Sequence, residues 1–189
     1  MTGTPPRPGP PRPGLGATRA RRAEMLRVDH AGELAAVHIY RAQQAVFKGT
    51  RHDALGQDFA RMEGEEQGHL DAFEALMRDN GVRPTVMTPL WRLAALGLGA
   101  GTALLGEKAA HACTEAVESV IEEHYADQVR ELEPSDPELA ARLAQFRDEE
   151  IGHHDHAVEN GAREAPAYPL LSALIKTGCR MAIKISEKI

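Results

Sequence analysis

The sequence predicts an all-α protein, a four-helix bundle with two further helical segments beside it, and three observations carry that prediction. Alternating β-branched runs bounded by turns are nearly absent, and the apolar content is mostly Ala and Leu, which favours helices. Apolar residues recur at helical spacing in long stretches separated by short turns containing Gly or Pro. The stretches also fall into two similar halves, each closing on a helix that carries Glu-x-x-His.

A chain of 189 residues suits one domain with a proper core. Its net charge of −6 leaves no nucleic-acid footprint. Cys113 and Cys179 are isolated, so the sequence offers no zinc ribbon, redox Cys-x-x-Cys or disulfide framework, and a reducing compartment fits. No apolar stretch follows the first Met, so a secretory signal is not expected. Residues 2–16 are rich in Pro, Gly and Arg and read as a disordered or polyproline-like tail. Pro at that density argues against the amphipathic helix of a mitochondrial transit peptide. The expected division is a tail over 1–20 and one domain over 21–189.

The first helix is expected over Arg21–Phe47, ending near Lys48-Gly49-Thr50, with Glu33 inside its apolar stripe. The second runs from about His52 to Asp79 and stops at Asn80-Gly81, with Pro84 beyond. Thr88 reads as an N-cap with Pro89 at the first helical position. The segment this opens is uncharged for thirteen residues, Leu93 to Leu105. A bilayer span needs about 20 residues, so this is a buried core helix or one that dips into a membrane interface. Gly97, Gly99, Gly101 and Gly106 permit close approach of a neighbour there.

A polar helix follows over Glu107 to about Glu131, with Val117, Val120 and Ile121 on its apolar face and Glu118 among them. Ser135 and Glu138 read as a capping box for the next helix, which ends at Asn160-Gly161. Pro166 and Pro169 punctuate the turn into a last helix, Leu170–Ile189. There Lys176, Arg180, Lys184 and Lys188 are spaced by four, opposite an apolar face. Such a helix lies on an anionic membrane or docks on the bundle with a solvated basic face, and the pattern alone weighs these equally.

The chemistry lies in the repeat. Glu66-x-x-His69 and Glu150-x-x-His153 each place a carboxylate and an imidazole one turn apart on one helix face. Glu33 precedes Glu66 by nearly the same distance as Glu118 precedes Glu150. One Glu from each of two helices, with Glu-x-x-His from the other two, is the di-metal carboxylate pattern of ferritin-like bundles. Four carboxylates gathered in a core repel one another, and two divalent cations balance them. Oxygen and nitrogen ligands suit iron or manganese. In this pattern Glu66 and Glu150 bridge the metals, Glu33 and His69 complete one, and Glu118 and His153 complete the other. Solvated surface carboxylates would explain any one of these positions but not Glu33 and Glu118, which interrupt apolar stripes. His30, His38, His124, His154 and His156 are weaker neighbours, and Glu63, Glu65 and Glu149 lie off the ligand face. His124 and Tyr125 follow Glu118 by two turns, near a cavity mouth, where they could handle substrate or protons.

The strings RVDHAGE (27–33), RPTVMTPLW (83–91), GLGAGTALLG (97–106), FRDEEIGHHD (146–155) and APAYPLL (165–171) resemble demethoxyubiquinone hydroxylase, the di-iron monooxygenase family of ubiquinone biosynthesis. The similarity spans about residues 21–189, and all six ligand positions match. The resemblance implies two Fe ions and O2-dependent hydroxylation of a 2-polyprenyl-3-methyl-6-methoxy-1,4-benzoquinol at ring position 5. One oxygen atom enters the ring and the other leaves as water. His124 and Tyr125 match a His-Tyr pair that assists electron or proton transfer. Electrons come from the quinol itself or from NADH acting through the quinone. No Gly-rich nucleotide fingerprint is present, so NADH would use another surface.

The resemblance further implies a peripheral membrane face, since a polyprenyl tail stays in lipid. Leu93–Leu105 and the basic last helix are its expected membrane-associating segments. The expected location is the cytoplasmic face of a bacterial cell membrane rather than a mitochondrial inner membrane. A lipid-presenting partner of the ubiquinone pathway and a homo-oligomer are open. The alternatives are a soluble ferroxidase, against which the uncharged segment argues, and a non-catalytic quinone-binding regulator, against which the intact ligand set argues. A rubrerythrin-like peroxidase would need a Cys-x-x-Cys module.

Overall fold

The computed structural model describes residues 17–189; the rest of the predicted Pro/Arg-rich tail lies outside the described residues. Six α-helices follow one another, with no strand among the described residues: α1 (Arg19–Phe47), α2 (Asp53–Asn80), α3 (Thr88–Leu104), α4 (Glu107–Leu132), α5 (Pro137–Glu159) and α6 (Tyr168–Ser186). The pairs α1–α2 and α4–α5 form two closely packed hairpins that face each other as a four-helix bundle. Helix α3 lies across α1, and α6 lies along α4.

Local chemistry sets the helix ends, and several differ from the sequence expectation, α6 among them, which runs Tyr168–Ser186 rather than Leu170–Ile189. Helix α1 starts at Arg19 because the Thr18 hydroxyl caps it, accepting from Arg21 N at 3.1 Å. Arg21 then pairs with Glu187 at 2.9 Å and Arg22 with Asp136 at 2.7 Å, so the expected tail boundary falls inside a docked helix. Thr88 is not an N-cap: Met87 holds that position, and the Thr88 hydroxyl donates to Thr85 O at 2.6 Å. A turn at Thr85 has already begun the helix, its hydroxyl accepting from Met87 N at 3.3 Å. Nor does Ser135 cap α5. Its hydroxyl donates back to Leu132 O, closing α4, and Asp136 caps instead, accepting from Leu139 N at 3.2 Å. Gly81 ends α2 as expected, at φ 64°, with Val82 N donating to Met77 O at 2.9 Å.

Two apolar layers close the bundle. At one end Met25, Leu26, Phe73, Met77, Leu143 and Phe146 pack together, and at the other Phe47, Phe59 and Met62. Each large side chain buried there contributes about 1.5–3 kcal/mol, which offsets the cost of the polar layer between them. Helix α3 meets α1 backbone to backbone. A Cβ at Gly99 would run into the Ile39 carbonyl and stand 2.9 Å from its Cα.

Helix α6 docks differently. Lys176 pairs with buried Glu115 at 3.0 Å, Arg180 with Glu123 at 3.0 Å and Lys188 with Glu24 at 3.5 Å. Three of the four predicted cations therefore pair with bundle carboxylates, Lys176 with a buried one and Arg180 and Lys188 at the exposed surface, while Leu170, Leu174 and Met181 are exposed. On α3 and its flanks Val86, Leu90, Leu93, Leu104 and Leu105 are exposed as well. Among the described residues no helix is long and apolar enough to cross a membrane.

Candidate metal centre

Between the apolar layers the four bundle helices project six ligand side chains to one place. Glu33 comes from α1, Glu66 and His69 from α2, Glu118 from α4, and Glu150 and His153 from α5, and all six are buried. They form two clusters, Glu33–Glu66–His69–Glu150 and Glu66–Glu118–Glu150–His153, each with ligand atoms within 4.8 Å of one another. Glu66 and Glu150 belong to both. This sharing follows from the one-turn spacing in Glu-x-x-His, which sets each Glu at the midline and each His to one side.

The imidazoles are oriented from outside. His69 turns Nδ1 to the carboxylates, 3.1 Å from Glu150, and its Nε2 lies 2.6 Å from Glu149 on the opposite helix. His153 does the same, with Nδ1 2.8 Å from Glu66 and Nε2 2.9 Å from Glu65. A carboxylate that accepts the Nε2 proton fixes the tautomer and leaves Nδ1 free to ligate. Glu65 and Glu149, half-exposed on the outer faces of α2 and α5, thus brace the ligands symmetrically.

Two tyrosines complete the layer. The Tyr125 hydroxyl donates to Glu33 and the Tyr40 hydroxyl to Glu118, each reaching across to the other half. Burial, then the neighbouring carboxylates, pushes both phenols well above their ordinary range. Tyr125 is therefore not at a cavity mouth, where the sequence placed it: it is about 1% exposed and bound to a candidate ligand. Tyr40 was not foreseen, although it follows Glu33 by seven positions just as Tyr125 follows Glu118.

The electrostatics fit a pair of cations. Burial pushes Glu33 and Glu118 well above the carboxylate range, and the charges of Glu150 and Glu66 push them the same way. Burial would also raise Glu66, but hydrogen bonds with His153 and His69 outweigh it and hold Glu66 near about 2. Burial would lower His153, but its bonds to Glu150 and Glu66 lift it to about 12, and His69 rises likewise. In the metal-free cluster, protons on the imidazoles and on Glu33 and Glu118 balance the charge. Divalent cations would replace those protons. Glu118 Oε2 is buried and makes no hydrogen bond, and oxygens of Glu33, Glu66 and Glu150 crowd the same two imidazole nitrogens, His69 Nδ1 and His153 Nδ1. Ligands converging on common points look like this, whereas a self-satisfied polar core pairs its atoms. The residues can hold metal.

Beside this layer an apolar groove of about 620 Å³ runs between α3 and α6, floored by α1 and α4. Ala31, Gly32 and Ala35 on α1 and Val117, Val120 and Ile121 on α4 form its floor, so Gly32 and Val117 are chain neighbours of Glu33 and Glu118. Trp91 donates to Ser186 Oγ at 2.9 Å, tying α3 to α6 at one end.

The other expected neighbours lie outside the cluster. His30 stands 3.9 Å from Glu74, His38 bonds Leu34 O at 2.7 Å, His154 faces Glu115 and Asp155, and His156 faces Asp58 at 3.3 Å. Glu63 pairs with Arg41. His124 is partly exposed, with Nε2 2.8 Å from Gln128 Nε2 and 3.4 Å from Asp29 Oδ1. Asp29 and Gln128 are both buried and were not singled out in the sequence.

Comparison with known proteins follows the same outline. The family described as "Ubiquinone biosynthesis protein COQ7" matches residues 20–186. The 3-demethoxyubiquinol 3-hydroxylase of Rhodospirillum rubrum is 47% identical over 182 residues, covering 96% of this chain and 82% of that one. The human mitochondrial NADPH-dependent 3-demethoxyubiquinone 3-hydroxylase is 46% identical, covering 91% and 80%. The mitochondrial 5-demethoxyubiquinone hydroxylase of Saccharomyces cerevisiae is 39% identical, covering 87% and 77%.

Proposed function

We propose, for a chain that belongs to the COQ7 family of ubiquinone-biosynthesis proteins, that the two clusters hold two iron ions and that the apolar groove presents a polyprenyl benzoquinol to them. The enzyme is a hydroxylating monooxygenase of ubiquinone biosynthesis. In a 2-polyprenyl-3-methyl-6-methoxy-1,4-benzoquinol only ring carbon 5 still bears hydrogen, which makes it the site of hydroxylation. Counted from the other side of the ring, that carbon is position 3. The observation that carries the reading is the sharing of Glu66 and Glu150 between two ligand clusters directly behind the groove floor.

Oxygen and nitrogen ligands of this set suit iron, which supplies the activation of O2; one oxygen atom enters the ring and the other leaves as water with two electrons and two protons. The chain supplies the rest. Glu66 and Glu150 would be shared by two metal ions, one also held by Glu33 and His69 and the other by Glu118 and His153. Glu65 and Glu149 keep each imidazole Nδ1 pointed inward. Tyr125 and Tyr40 hold protons at their hydroxyls against Glu33 and Glu118, which fixes the remaining carboxylate oxygens for ligation. His124 lies one turn beyond the groove residue Val120 and handles protons passing between groove and cluster. The groove strips water from the ring and orients it.

The exposed apolar side chains of α3 and α6 flank this groove and form a peripheral membrane face, where a quinol leaves lipid without crossing water. Because Lys176 and Arg180 are engaged by Glu115 and Glu123, the apolar residues carry the attachment and the basic ones contribute less. Leu93→Asp with Leu174→Asp should release the protein from liposomes in a flotation assay, neutral ones included. Retained flotation would remove the membrane face from this account. NADH acting through the quinone, or the quinol itself, supplies electrons; several relatives are named NADPH-dependent. A soluble ferroxidase would have no use for the groove.

The test is to load the protein with iron anaerobically, add a short-tail demethoxyquinol and then ¹⁸O2, and weigh the product. One ¹⁸O per ring is expected. Oxidised iron without ring oxygenation would point to a ferroxidase.

A further inference from the structure

Along their first helices the two halves of the bundle share three polar residues at matching intervals, and the mismatches between them are informative. Each metal-facing Glu is followed at seven positions by Tyr and at ten by Gln: Glu33, Tyr40 and Gln43 on α1, and Glu118, Tyr125 and Gln128 on α4. Both glutamines are buried. Four positions before the Glu, α1 has Asp29 where α4 has Thr114; six after it, α4 has His124 where α1 has Ile39. Asp29 and His124 meet in space, since both hairpins contribute to that end of the bundle. The half without them uses its glutamine for packing, Gln43 donating to Ala110 O at 3.1 Å.

Building on the reading of His124 as a proton-handling residue, we propose that Asp29 is a positioning residue of this reaction, fixing the tautomer of His124 through Gln128. Asp29 is 3% exposed, and its Oδ1 accepts from Gln128 Nε2 at 2.8 Å. A carboxylate only accepts, so the Gln128 atom that meets it is the amide nitrogen rather than the oxygen. That nitrogen has a second hydrogen, and His124 Nε2 lies 2.8 Å away. His124 Nε2 must then be the acceptor, and the neutral ring carries its hydrogen on Nδ1. The consequence is directional. The basic nitrogen of His124 faces inward, 3.4 Å from Asp29, so a proton reaching the ring lands beside a buried negative charge. Without Asp29 the amide of Gln128 is free to turn over, and both tautomers of His124 become accessible.

The test reads the ring itself. The full chain, with zinc(II) in place of iron to avoid paramagnetic broadening, is labelled with ¹⁵N at histidine, and His124 is assigned by its loss in His124→Gln. One tautomer with Nε2 unprotonated is expected in the parent, and a mixture in the isosteric Asp29→Asn. The iron-loaded Asp29→Asn enzyme should lose about 10- to 100-fold in kcat with KM little changed. Should Asp29→Asn fail to fold, Gln128→Leu serves: His124 then turns to Asp29 directly and its hydrogen moves to Nε2. A His124 spectrum unmoved in the folded variant would overturn the assignment to Asp29, even if His124→Gln were inactive. Full turnover by His124→Gln would instead remove the reading on which the proposal rests.

Discussion

In the α1–α2 hairpin Glu33, Tyr40, Glu66 and His69 line the bundle interior, and in the α4–α5 hairpin Glu118, Tyr125, Glu150 and His153 do so at matching positions. Each half also sends one outer Glu across to brace the other half's His. Outside this layer the likeness ends. Helix α1 is covered by α3 through a backbone contact at Gly99, whereas α4 is covered by α6 through the Lys176–Glu115 ion pair. Asp29 and His124 have no counterparts. Symmetry has been kept where two equivalent cations would sit and lost where one substrate must approach from one side.

The largest test of the likeness removes a shared ligand. Glu150→Ala should lose both metals and lower turnover by about 1,000-fold or more, the scale of removing an essential catalytic group. Glu33→Ala and Glu118→Ala should each weaken one site and leave the other measurable by metal analysis. Equal loss of two metals in all three variants would mean that the halves do not bind separately.

The coverings predict an asymmetry instead. Gly99→Val forces a side chain into the Ile39 backbone and should cost about 3 kcal/mol in chemical denaturation, whereas Gly178→Ala on α6, with nothing within 4 Å of the added carbon, should be nearly neutral. A tolerated Gly99→Val would show that α3 sits less closely on α1.

Bracing should again be equal. Glu65→Gln and Glu149→Gln should each weaken metal binding by about 10- to 100-fold, by similar amounts in a competitive titration with a chelator. A large effect from only one would break the symmetry of the pair.

The smallest effect is on pH dependence of the metal-free fold. His153 and His69 lie above their unfolded value of about 6.5, so their contribution is complete below that pH and lost as pH rises, towards about 12 for His153. Glu33 and Glu118, held protonated by burial, also cost stability as pH rises above about 4.5. Glu66, held near about 2, contributes above about 4.5 and is lost only as pH falls towards its folded value. Metal-free protein should therefore melt highest near about pH 4.5 and several degrees lower at about pH 9. Bound metal should reverse the alkaline decline, because ligation needs the deprotonated groups. A metal-free melting temperature that rises steadily to pH 9 would contradict this charge balance.

Much of this was legible in the sequence because helical periodicity converts spacing directly into facing. Glu-x-x-His means one face, and the paired intervals Glu33–Glu66 and Glu118–Glu150 mean two hairpins of one length. Tyr40 was legible by the same rule, through its interval from Glu33, but only once Tyr125 was known to bond a ligand. Asp29 and Gln128 were not, since their meeting with His124 depends on how two helices far apart in sequence pack. The caps at Met87 and Asp136 were missed for a local reason: the Thr88 and Ser135 hydroxyls turn back to donate to Thr85 O and Leu132 O, and spacing does not say which way a hydroxyl turns. The cations of α6 show the same limit. Their four-residue spacing placed them on one side but could not say that Glu115 and Glu123 waited there.

The most direct measurement is an anaerobic titration of metal-free protein with Fe(II), counting iron bound per chain and recording its Mössbauer spectrum before and after a pulse of air. Two irons per chain, joined after oxidation in a magnetically coupled pair, are predicted by ligands shared between two clusters. One iron per chain, or two that stay magnetically independent, would contradict the sharing of Glu66 and Glu150.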